Sequence, residues 1–145
     1  MNTPTDGESL RAFLVCPEEY PTLCAESVLR SHGCQVWECG GMRDALALAQ
    51  EETPRVILCP AAWAHGRSAD LAAELRKRTR TRSIRVIAVC APEVPADALP
   101  TEGTVLRSNA SPEELVRAVW RALQRETRTR TRIRLAPGGE ARPTA

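Results

Sequence analysis

Aromatic side chains are scarce in this 145-residue chain: Phe13, Tyr20, Trp37, Trp63 and Trp120 make up 3% of it, against 43% hydrophobic residues in all. A core must therefore be assembled from Val, Leu, Ile and Ala. No apolar run approaches the eighteen or so residues of a membrane span, so no membrane insertion is expected. The opening Met1–Ser9 holds neither a basic block nor an apolar one, so no secretory signal is read and the expected compartment is cytoplasmic. Thiols stay reduced there, and none of the six cysteines forms a C-x-x-C pair of the zinc or redox kind. Aspartate is rare, at Asp6, Asp44, Asp70 and Asp97. Lysine is rarer, since only Lys77 stands among twenty basic residues.

The net charge of +2 conceals two unlike halves. Residues 1–75 carry five basic and eleven acidic groups, a net −6, whereas residues 76–145 carry fifteen and seven, a net +8. The excess is concentrated in two Thr-Arg runs, Arg76–Arg82 and Arg128–Arg134. No aromatic residue interleaves either run, so neither is built to stack bases. The runs read either as solvated faces or as an electrostatic attachment to nucleic acid, anionic lipid or an acidic protein face.

Five short apolar runs punctuate the chain, at 11–16, 34–39, 55–59, 84–90 and 104–107. The third and fourth are nearly continuous in Val, Ile and Leu, the pattern of central strands in a parallel sheet covered on both faces. Helical spacing fills the intervals. Segment 19–31 aligns Leu23, Val28 and Leu29. Segment 42–52 aligns Met42, Ala45, Leu46 and Ala49, and segment 68–78 aligns Leu71, Ala72 and Leu75, with Glu74 and Arg78 paired at i,i+4. The clearest helix runs from 111 to 125. Ser111 is its N-cap, Pro112 suits the first helical position and Glu114 completes a capping box, ahead of a stripe of Leu115, Val116, Val119, Trp120 and Leu123. Residues 92–103 contain three prolines and leave room for a single helical turn.

Strand and helix patterns in alternation predict an α/β domain, a flavodoxin-like doubly wound sheet of five parallel strands in the order 2-1-3-4-5, with a shortened fourth helix. The expected organisation is a flexible tail over 1–9, one domain over 10–125 and a flexible tail over 126–145. That last tail is Arg/Thr-rich and then Pro/Gly-rich, and reads as disordered.

The order of these elements, with the phrases "AFLVC", "RDALALAQEETPRVIL", "IRVIAVCA" and "GTVLRSNASPEELVRAVWRAL", resembles the receiver domain of bacterial two-component response regulators, the CheY-like fold, over about residues 10–125. Active receivers hold Mg²⁺ with an acidic pair after the first strand and accept the phosphoryl group on an Asp ending the third. A hydroxyl at the end of the fourth strand and a Lys after the fifth hold the phosphoryl oxygens. Laid on this chain, the acidic pair falls at Cys16 and Pro17, with Glu18 one place further on. The acceptor falls at Pro60, or at Cys59 one register earlier; the hydroxyl falls at Cys90 and the lysine at Ser108.

None of the four aspartates ends a predicted strand. The resemblance with these departures implies a degenerate pseudo-receiver with no phosphoacceptor, no catalytic residue, no metal and no cofactor. It would be a non-enzymatic protein-protein interaction module of bacterial signal transduction, set among two-component and phosphorelay proteins. The shortened 92–103 stretch departs from the family, in which a full helix there helps form the output face. The partner contact is therefore expected on the last helix, at Arg117 and Arg121.

Two other readings accompany this one. Cys16, Cys39, Cys59 and Cys90 each end a predicted strand, which would align them at the sheet edge as a thiol or metal sensor, with His65 as a further ligand. The plainer reading makes them small core hydrophobes. Cys24 reads as core filler, Cys34 as a loop or strand-start residue, and His32 as a helix C-terminal residue suited to the dipole. Trp63, in the loop after the third strand, reads as filling the space the lost machinery would vacate, the other reading being a partner anchor. The remaining reading is a nucleic-acid-associated regulator acting through Arg76–Arg82 and Arg128–Arg134.

Overall fold

A computed structural model of the chain describes residues 10–63, 66–100 and 103–135, without the side chains of Trp63 and of 125–135. The expected tail over 1–9, His65 and the Pro/Gly-rich end lie outside the described residues. In chain order the elements are β1 (Arg11–Val15), α1 (Ala25–Ser31), β2 (Gln35–Cys39), α2 (Met42–Glu52), β3 (Val56–Pro60), β4 (Ala62–Trp63) and β5 (Gly66–Arg67). Then follow α3 (Ser68–Arg76), β6 (Arg85–Cys90), β7 (Thr104–Arg107) and α4 (Pro112–Leu135). Five strands form one parallel sheet in the order β2-β1-β3-β6-β7, which is 2-1-3-4-5 when only its members are counted. The two-residue strands β4 and β5 pair antiparallel beside it, a feature with no signal in the sequence.

Successive strand residues feed opposite faces. Leu14, Leu58, Ile87 and Leu106 pack beneath α1 and α4, against Leu29, Leu115 and Val119. Phe13, Val15, Ile57 and Cys59 pack beneath α2 and α3, against Ala45, Ala49, Leu71 and Leu75. The aromatic members are Tyr20 and the half-buried Trp120 in the first layer and the edge-to-face pair of Phe13 and Trp37 in the second, whose centroids lie 5.2 Å apart. The stripe expected on α4 is buried at Leu115, Val119 and Leu123, joined by Ala118 and Ala122, while Val116 and Trp120 are half-buried.

Several local expectations are corrected. The helix read over 19–31 begins only at Ala25, preceded by two 3-10 turns at Pro17–Glu19 and Pro21–Leu23. Each turn opens on a proline, which has no N–H for an α-helical bond. Cys16 and Cys24 take left-handed backbone angles, φ 47° and 52°, and break the chain direction on either side. Cys24, read as core filler, is consequently an exposed N-cap. Glu74 pairs with Lys77 at 3.0 Å instead of Arg78, because α3 stops at Arg76 and Arg78 has left the helical face. The buried Thr81 secures that end, its hydroxyl donating to the Leu75 carbonyl at 2.7 Å.

The capping box of α4 forms as read. The Ser111 amide donates to Glu114 Oε1 at 2.8 Å and the Glu114 amide donates to Ser111 Oγ at 3.1 Å. The helix does not stop at Arg125, however. It continues to Leu135, so the Arg128–Arg134 run belongs to the same helix. Arginine is a good helix former and no Gly or Pro intervenes before Pro137, so nothing local ends it. Among its described residues, the 92–103 connection holds one 3-10 turn, at Ala96–Ala98.

Candidate functional site at the carboxyl edge of the sheet

All five parallel strands end on one edge, where this architecture binds ligands. The residues singled out from the sequence converge there because each follows or closes a strand. Cys16 continues the β1–β2 ladder by one bond, its amide donating to the Cys39 carbonyl at 2.8 Å, and its thiol donates to the Gly40 carbonyl at 3.1 Å. Pro17 and the exposed Glu18 form the first 3-10 turn. Cys59 and Pro60 close β3, both buried, opposite Ala88 and Val89 of β6. Cys90 ends β6 opposite Arg107, whose guanidinium donates to the Ala91 carbonyl at 2.8 Å. The Ser108 amide donates to the Cys90 carbonyl at 2.8 Å, and the Ser108 carbonyl accepts from the Thr22 hydroxyl at 2.9 Å. The β7–α4 loop is thereby tied to β6 and to the second 3-10 turn.

Tyr20 is the residue that sequence reasoning missed. It is 3% exposed, and its hydroxyl lies 3.0 Å from the Val15 carbonyl and 3.3 Å from the Leu58 carbonyl. One phenolic proton is shared between the ends of β1 and β3, and the ring fills the space between them and α1. The available signal was its singularity: the only tyrosine of an aromatic-poor chain, set between Pro17 and Pro21 and five residues after the end of β1. A buried tyrosine needs a partner for its hydroxyl, and strand-end carbonyls supply one.

Electrostatically this edge disfavours anions. Burial pushes the Cys59 thiol up to about 12, reinforced by Cys16 and Cys39. Burial also pushes Cys39 up to about 11, with Asp44 and then Cys16 adding to it. Cys16 is raised by burial and then by Glu18 and Glu19, and the Tyr20 phenol is raised chiefly by burial. Cys90 is raised by burial, with Arg107 opposing. The fold brings together Cys16 just after β1, Cys39 at the end of β2 and Cys59 on β3, while Cys90 stands apart beside Arg107. Thiols held in the neutral form are weak nucleophiles and weak metal ligands. Among the described residues, no three of His, Cys, Asp and Glu are placed to hold a metal ion. The aspartates sit elsewhere: Asp44 in α2, Asp70 in α3 and Asp97 in the 3-10 turn, with Asp6 outside the described residues.

The other sequence-read positions lie away from this edge. Arg117 and Arg121 are exposed on α4. The Arg76–Arg82 run is exposed except for Thr81, and Arg80 donates to the Gln50 carbonyl at 2.6 Å. His32 closes α1, its ring 3.0 Å from the Val28 carbonyl. Trp63 belongs to β4, and its side chain lies outside the described set.

The sequence matches no family model and no curated protein. Solved structures do match. A response regulator from Desulfuromonas acetoxidans is 24% identical with a TM-score of 0.64, covering 79% of this chain and 97% of its own. The chemotaxis response regulator CheY4 of Vibrio cholerae is 16% identical with a TM-score of 0.67, covering 80% and 100%. The response regulator PhyR from Brucella abortus is 20% identical with a TM-score of 0.68, covering 86% of this chain and 51% of its own. With strand order, helix placement and these neighbours in agreement, the chain has the CheY-like receiver fold of bacterial response regulators.

Proposed function

We propose that this chain is a phosphorylation-independent pseudo-receiver, a non-enzymatic module that binds a protein partner in bacterial signal transduction. One observation carries the reading. The edge that would hold Mg²⁺ and a phosphoaspartate is occupied by the Tyr20 phenol and neutral thiols, with Cys16, Pro17, Cys59, Pro60, Cys90 and Ser108 at the positions the chemistry needs. Glu18, the nearest carboxylate to the acidic-pair positions in sequence, lies exposed on the turn. A phosphoryl switch needs a ligand that binds two conformations unequally. This edge offers no such ligand a place, so partner binding is constitutive and uses a fixed surface. Exposed Arg117 and Arg121 of α4 belong to that surface.

The family resemblance supports a signalling role, and a related solved structure is described as an anti-anti-sigma factor PhyR from Bartonella quintana. No helix among the described residues is long and apolar enough to cross a membrane. The raised thiols give no support to the thiol or metal sensor, and no observation favours a nucleic-acid contact over a solvated face for the Arg runs. The test is incubation with acetyl phosphate and Mg²⁺ followed by intact mass spectrometry. No phosphoryl adduct is expected and no thermal stabilisation by Mg²⁺. An adduct mapped to any aspartate would overturn the reading.

A further inference from the structure

The crossovers from β1 to β2, β2 to β3 and β3 to β6 each carry an α-helix, whereas the described part of the β6–β7 crossover carries only the 3-10 turn Ala96–Ala98. Crossover helices are what cover a parallel sheet. On the face shared by α2 and α3, the place beside α3 and above β6–β7 is therefore left open. A groove of about 640 Å³ lies there, with Val86 and Ala88 of β6 on its floor, Ala69 and Ala72 of α3 on one wall, and Leu99 and Pro100 on the other. Among the described residues its charged lining is Arg76, Arg82 and Arg85 and holds no acidic side chain.

We propose that this groove docks an acidic amphipathic helix of a partner protein, seated where the sheet lacks its crossover helix. Three features of the groove select that occupant. The floor is apolar and continuous with the sheet core, so it accepts an apolar stripe. Ala69 and Ala72, three apart on α3, allow a neighbouring helix to approach closely, because interaxial distance is set by the side chains at the contact. Arg76 at the α3 C-terminus and Arg82 ahead of β6 are both exposed, so carboxylates at one end of the incoming helix meet these two cations. The chain's own Thr-Arg segment carries the wrong sign to take the place. The inference deepens the interaction-module reading and rests on it. An aspartyl phosphate would end that reading without touching peptide binding, whereas the assay below addresses the groove alone.

The probe is a fluorescein-labelled amphipathic helical peptide with a Leu/Ala face, made in Glu, Gln and Lys versions and titrated with the full chain by fluorescence anisotropy. The Glu version should bind about tenfold tighter than the Lys version at low salt, and the advantage should shrink as salt rises. Arg82→Glu and Arg76→Glu, both at exposed positions, should each weaken the Glu version several-fold and reverse the ranking when combined. Ala72→Trp should abolish binding of all versions, with far-UV circular dichroism confirming the fold; should it unfold, the arginine reversals carry the test. Equal binding of Glu and Lys versions, no binding of any version, or binding indifferent to the arginine reversals would overturn the proposal. Concentration-dependent self-association lost in Arg82→Glu would also overturn it, by assigning the groove to a second copy of the chain.

Discussion

Restoring a carboxylate at the acceptor position should fail, and its cost can be worked from the thiol that stands there. Cys59 is fully buried among Phe13, Val15, Ala45 and Leu71, and its pKa rises from the ordinary 9.0 to about 12. Each power of ten is worth about 1.4 kcal/mol, so the site penalises an anion by about 4 kcal/mol. Cys59→Asp carries that penalty over. At pH 7 the new carboxylate would either remain charged at about that cost or take up a proton against an unperturbed pKa of about 3.9, which costs about the same. A domain of this size is stable by roughly 5–15 kcal/mol, so the loss is a large share of the total and lowers the melting temperature by on the order of 15 °C.

The sign of the pH dependence follows from the raised folded-state pKa. The unfolded chain ionises above pH of about 4 and the folded chain resists, so the deficit relative to the parent is full at pH 7 and shrinks as pH falls toward 4. Urea denaturation of parent and variant at pH 7 and at pH 4.5–5 reads this directly. A variant within about 1 kcal/mol of the parent at pH 7, or a deficit that grows on acidification, would refute the reasoning. Mg²⁺-dependent stabilisation of the variant would show a solvated, cation-ready pocket in place of a filled one.

Other outcomes follow from single contacts. Tyr20→Phe keeps the ring but withdraws the proton shared by the Val15 and Leu58 carbonyls, and should cost about 1–2 kcal/mol in urea denaturation. Ser111→Ala removes the cap acceptor at the Glu114 amide and should cost about 1 kcal/mol by the same measurement, with a loss of helical circular dichroism from α4. The double reversal Arg117→Glu and Arg121→Glu should leave the melting temperature within a few degrees, because both side chains are exposed. The same reversal should weaken the partner complex in a pull-down with the purified partner; unaltered binding would remove α4 from the interaction surface.

The sequence by itself determined the layer architecture and the order of its parts. Runs such as Val56–Cys59 and Val86–Cys90 are apolar at every position because both faces are covered, and helical stripes between them force right-handed crossovers into one strand order. The α4 N-terminus was legible because Ser111, Pro112 and Glu114 are a local code, contained in four consecutive residues. So was the make-up of the strand ends, since Cys16, Pro17, Cys59, Pro60, Cys90 and Ser108 are read directly from the order of residues. Tertiary structure decided whatever depends on residues far apart in the chain. Tyr20 became the plug of the edge only because α1 starts late and brings a phenol under Val15 and Leu58, 38 positions away in the second case. Cys24 turned outward because a left-handed residue between a 3-10 turn and a helix has no side facing the core, which helical periodicity could not register. The thiols of Cys16 and Cys59 became core groups through the packing of α2 and α3 on that face of the sheet, and the groove beside α3 exists because no helix fills the described crossover from β6 to β7. Local codes fix elements, but burial and the partners of polar groups are set by how the elements pack.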